Sequence, residues 1–74
     1  MSARGVVIFH TTAMALRAEK VLGEAGLEVR SIPTPREISS DCGIAVRFPW
    51  DQAERVRQLL ESARVETAGL HPLP

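Results

Sequence analysis

The chain holds one cysteine, Cys42, at the end of the run Pro33-Thr34-Pro35-Arg36-Glu37-Ile38-Ser39-Ser40-Asp41-Cys42-Gly43. A thiol reacts as its thiolate, and a neighbouring cation or hydrogen-bond donor favours that form. Arg36 supplies a cation, Ser39 and Ser40 supply hydroxyl and amide donors, and Gly43 permits close backbone approach just after the cysteine. The same donors would hold a sulfur or selenium atom carried on Cys42. The competing reading is a buried cysteine that packs as a small hydrophobe. The polar, glycine-flanked setting favours the reactive thiol.

The elements that must position this thiol follow from hydrophobic spacing. Val6-Val7-Ile8-Phe9 is continuously apolar, as in a central strand. Thr11 or Thr12 then caps a helix whose apolar positions are Met14, Ala18, Val21, Leu22 and Ala25, with Gly26 as its stop. Leu27 to Ile32 alternates and ends at prolines, which reads as an edge strand. Gly43 to Phe48 places Ile44, Val46 and Phe48 at period two before Pro49. Asp51 and Glu54 have the spacing of a capping box before a second helix with Val56, Leu59, Leu60 and Ala63 on one stripe. Val65 to Leu70 is a short last strand, and residues 71–74 are expected to form a flexible tail.

The order β-α-β-β-α-β in one domain of 74 residues predicts an α+β fold, the ferredoxin-like sandwich of an antiparallel sheet with two helices on one face. Its first and third strands lie together in the centre. The connection Pro33 to Asp41 is longer than the usual hairpin loop of about 2 to 5 residues, and long loops on small scaffolds tend to carry function. With the first strand read as running parallel to the third, His10 falls at the far end of the sheet from Cys42, and both helices finish at the Cys42 end. On that reading neither a histidine nor a helix dipole activates the thiol. Activation is left to Arg36 or a partner, and His71 is read as a solvated histidine of the tail.

Composition narrows the functional classes. Nine basic residues balance nine acidic ones, so there is no global attraction to nucleic acid or anionic lipid. Phe9 and Phe48 sit where the base-stacking aromatics of RNA-recognition modules of this topology would, but the neutral charge and missing flanking motif assign them to the core. A single cysteine forms no internal disulfide, and the apolar run Val6–Phe9 is too short for a signal-peptide core or a membrane span. These features predict a cytoplasmic protein with no membrane partner. No metal-ligand spacing, phosphate-cradling glycine loop or nucleophile elbow occurs, so no metal and no cofactor are expected.

The stretch Ile32 to Val46, with its Pro-Arg-x-x-Ser-x-x-Cys-Gly core, resembles a family of small bacterial selenium/sulfur carrier-like proteins. Ala15-Leu16-Arg17-Ala18-Glu19-Lys20-Val21-Leu22 resembles their first helix, and the similarity spans most of the chain. The resemblance implies a carrier that holds a chalcogen atom as a persulfide or selenopersulfide on Cys42 and passes it to a downstream enzyme. Arg36, Ser39, Ser40 and Gly43 would form the surrounding binding motif. It implies donor and acceptor proteins as partners, and a relay component rather than a free-standing enzyme. Better-known sulfur-relay carriers place Cys-Pro at a helix N-terminus, whereas this chain has Cys-Gly at a strand start, so their mechanism does not transfer. The alternative is a non-enzymatic interaction module or thiol redox switch, with a homodimer through the sheet face that the helices leave open.

Overall fold

The computed structural model describes residues 3–38 and 43–73. Its elements are β1 (Arg4–Ile8), α1 (Thr12–Glu24), β2 (Arg30–Pro33), β3 (Ile44–Pro49), a 3₁₀ turn (Trp50–Gln52), α2 (Ala53–Ser62) and β4 (Gly69–Pro72). The fold is a mixed α+β domain with a four-stranded sheet in the order β2-β3-β1-β4. Every pair is antiparallel: Val7 faces Val46 between β1 and β3, Ser31 faces Val46 between β2 and β3, and Val6 faces His71 between β1 and β4.

Strand alternation divides the apolar residues between two faces. Val7, Phe9, Val46 and Phe48 pack with Ala15, Ala18 and Leu22 of α1 and with Val56 and Leu60 of α2. Each of these side chains is at most 1 % exposed, and burying one of the larger ones stabilises the fold by roughly 1.5–3 kcal/mol. On the opposite face, Val6, Ile8 and Ala45 are also buried, packed with Ile32, Ile38 and Leu73. The face without helices is therefore not an open apolar patch. Among the described residues the one exposed large hydrophobe is Leu16, on α1.

The helix ends explain where the expected boundaries move. At α1, Thr11 Oγ1 accepts from the Met14 amide, and Gly26 takes a positive φ of 89° as the chain leaves the helix. The Leu27 amide donates to the Leu22 carbonyl, so Leu27 completes the helix stop, and β2 begins only at Arg30. At α2 the left-handed position falls on Arg64, φ 59°, and the Val65 amide donates to Leu60. Val65 is spent on that stop and on the core, so the last strand is Gly69–Pro72 rather than Val65–Leu70. His71 and Pro72 thus belong to β4, and the Leu73 amide donates to the Arg4 carbonyl at 2.8 Å.

The capping box expected at Asp51 and Glu54 does not form: Gln52 is the N-cap of α2 and no side chain caps it. The Trp50 amide donates to the Ala3 carbonyl, extending the sheet, and the chain then turns directly into the 3₁₀ segment that contains Asp51. Each helix instead finds a partner at its far end. Arg17 of α1 donates to the Ala63 carbonyl after α2, and Arg55 of α2 donates to the Ala25 carbonyl after α1. These reciprocal contacts complement the negative helix ends.

Trp50 stacks on Phe48 with ring centroids 5.8 Å apart and lies over Gly5. A Cβ at Gly5 would overlap Cε3 and Cζ3 of the indole. Gly5→Ala should therefore cost about 1–3 kcal/mol in urea unfolding, and Gly5→Ala/Trp50→Ala should show less than the sum of the two single losses. Strict additivity would show that the indole does not require the glycine.

Candidate functional site

The β2–β3 connection is shut at its base by the Thr34 amide, which donates to the Gly43 carbonyl at 3.0 Å. This bond continues the ladder whose last registered pair is Pro33 with Ile44. Beyond it, the Ile38 amide donates to the Pro35 carbonyl at 3.0 Å and closes a turn over Pro35-Arg36-Glu37-Ile38. The turn leaves Arg36 and Glu37 exposed. Ile38 then packs onto Val6, Ile8 and Ala45. The first half of the loop is thereby pinned across the face opposite the helices by one apolar side chain.

Of the expected site residues, Arg36 is solvent-exposed at the turn and Gly43 is exposed at the foot of β3. Ser39, Ser40 and Cys42 lie outside the described residues. Ile38 and Gly43 flank them, so the described structure fixes both approaches to that segment.

The surroundings of that end of the sheet differ from expectation. β1 is antiparallel to β3, with Ile8 opposite Ala45, so the C-terminal end of β1 lies beside the start of β3. His10 and the N-cap Thr11 of α1 therefore belong to the same end of the sheet as Gly43, not the opposite end. α1 begins there, while α2 finishes there, as its contact from Arg17 to Ala63 requires. The positive end of the α1 dipole is on the Gly43 side. The β-α-β-β-α-β order itself carried this signal: β2 and β3 are joined without a crossover helix and so pair antiparallel, and β1, parallel to β2 across the helix, then runs against β3.

His71 is corrected as well. It is half-buried within β4 opposite Val6, on the face away from the helices, rather than solvated in a tail. Among the described residues no cluster of three or more His, Cys, Asp or Glu could hold a metal ion, and no helix is long and apolar enough to cross a membrane.

The family described as Putative Se/S carrier protein-like matches residues 4–72. The chain belongs to this family. Neither the curated proteins nor the solved structures contain a match. As a member of the selenium/sulfur carrier-like family, the chain presents its family-wide similarity from the first residue of β1 to the last of β4. The matched span takes in all four strands and both helices as well as the β2–β3 connection.

The pinning of the loop is testable. Ile38→Ala should lower stability by about 1–2 kcal/mol and speed tryptic cleavage after Arg36 several-fold under native conditions. Unchanged cleavage would mean that Ile38 does not hold the turn in place.

Proposed function

We propose that the protein carries a sulfur or selenium atom on Cys42 and hands it to an acceptor enzyme. Family membership over residues 4–72 is the observation that carries this reading, and the single cysteine names the atom that would do it. The strand order β2-β3-β1-β4, antiparallel throughout, supports describing the scaffold as a ferredoxin-like split βαβ sandwich. On such a scaffold the loop between β2 and β3 is free to vary while the sheet remains intact.

The chemistry balances without a cofactor. The Cys42 thiolate attacks the terminal sulfur of a donor persulfide; a bond forms between Sγ and that sulfur, and the donor cysteine leaves as thiolate. Delivery repeats the step in reverse roles: an acceptor thiolate takes the terminal atom as its own persulfide and Cys42 departs as thiolate. The atom keeps its oxidation state throughout, so no resolving cysteine is needed. Selenium follows the same course as a selenopersulfide. In this reading Arg36 favours the thiolate and Ser39, Ser40 and Gly43 offer donors to the carried atom. Donor and acceptor proteins, met in the cytoplasm, are the partners.

The test is direct. Reduced protein incubated with a cysteine desulfurase and cysteine, or with a selenium donor system, should gain the mass of one sulfur or selenium atom, lost on adding dithiothreitol and absent in Cys42→Ser. An adduct that persists in Cys42→Ser, or none in the wild type, overturns carriage on this residue and leaves the interaction-module reading. A second measurement addresses the cation. An ordinary thiol titrates at about 8.5, and a guanidinium nearby lowers that value. The pH midpoint of Cys42 alkylation should therefore shift upward in Arg36→Gln, with slower reaction at neutral pH. An unmoved midpoint removes Arg36 from the site.

A further inference from the structure

The sheet face opposite the helices ends in a groove lined by Arg4, Arg30 and Arg47, with Glu28 and Val29 on its rim and a cavity volume of about 130 Å³. The strand register puts these arginines together. Arg30 of β2 lies directly opposite Arg47 of β3, and Arg47 in turn lies opposite Val6 of β1, whose other neighbour is His71 of β4. Two guanidinium-bearing residues facing each other across an antiparallel pair on one face repel and destabilise the sheet. Arg4 has a partner, the Glu28 carboxylate at 3.5 Å, whose own side chain is 83 % exposed. Neither the Arg30 nor the Arg47 guanidinium has an ion-pair or hydrogen-bond partner among the described residues. In a chain of zero net charge, three arginines and one carboxylate around one cleft leave a local excess of two positive charges.

We propose that this groove binds a dianionic oxyanion group of the phosphate type. Planar guanidinium forks match the oxygens of such a group, and a charge of minus two offsets the local excess. The cleft admits a single tetrahedral anion or the phosphate of a small monoester. It is separate from the cysteine loop: Arg47 is four positions along the strand from Gly43, roughly 13 Å at the usual rise per residue. The site therefore stands whether or not Cys42 carries a chalcogen, and it can be measured in Cys42→Ser protein.

Thermal unfolding tests it, with sodium chloride at matched ionic strength as the control for screening. Inorganic phosphate should raise the melting temperature of the full chain by at least about 4 °C at saturation, since a ligand that binds only the folded state stabilises it. Arg47→Gln should melt higher than wild type without phosphate, because the cross-strand repulsion is gone, and should lose the phosphate response. Glu28→Gln should bind phosphate several-fold more tightly in calorimetry by freeing Arg4. A stronger response to adenosine 5′-monophosphate than to inorganic phosphate supports the site with a monoester as its ligand, and an equal response supports it with the free anion. The proposal is overturned by an unchanged melting temperature in phosphate, by a response that survives in Arg47→Gln, or by a response to an oligo-aspartate peptide alone, which would mark a protein-docking surface.

Discussion

The antiparallel pairing of β1 with β3 is the constraint on which the rest of the molecule depends. Its register, Val7 opposite Val46 and Gly5 opposite Phe48, sends Val7, Val46 and Phe48 to the helices and Val6, Ile8 and Ala45 to the other side. A slip by one residue would exchange the two sets, placing the larger core side chains where no helix covers them. The same pairing decides which ends meet. The start of β3 lies beside the end of β1, so the β2–β3 loop and the first turn of α1 share one end of the sheet, while Trp50 and Gly5 share the other.

Much of this was legible in the chain, for identifiable reasons. Period-two spacing at Ile44, Val46 and Phe48 marks a strand with one apolar side turned to a core, and Gly26 stops α1 because a residue without Cβ takes a positive φ without strain. The end of α2 was harder to read because the left-handed residue is Arg64, which carries no such mark. That hidden stop moved β4 from Val65–Leu70 to Gly69–Pro72 and took His71 from a tail into the sheet. The capping box failed for a related reason. A cap residue must itself be extended, and here Asp51 already lies inside the 3₁₀ turn Trp50–Gln52, so it is in no position to cap α2.

The cysteine loop divides into what local chemistry specified and what the tertiary structure added. Two prolines and a long connection marked the loop in the sequence, though not its turn at Pro35–Ile38, where Pro35 holds the first position rather than the favoured second. That Ile38 would anchor the loop on Val6, Ile8 and Ala45 could not be read locally, because those partners come from two other strands. The same holds for the arginines. In the sequence Arg4, Arg30 and Arg47 are three scattered charges in a neutral chain, and only the sheet register brings them to one groove. The pairs Arg17 with Ala63 and Arg55 with Ala25 likewise exist only once the two helices lie against each other.

The sheet order also sets how this chain must fold. Only β2 and β3 are neighbours both in sequence and in space; Arg4 waits for Pro49, and Gly5 for Pro72. The central strands therefore come together only after the chain has closed a loop of half its length or more, and that entropy is lost before core burial offsets it. The β2–β3 hairpin and the two helices rest on local contacts, but each is half a surface without the first strand. High contact order of this kind slows folding, and β1, the earliest strand in the chain, is enclosed on both sides only when β3 and β4 have both paired with it.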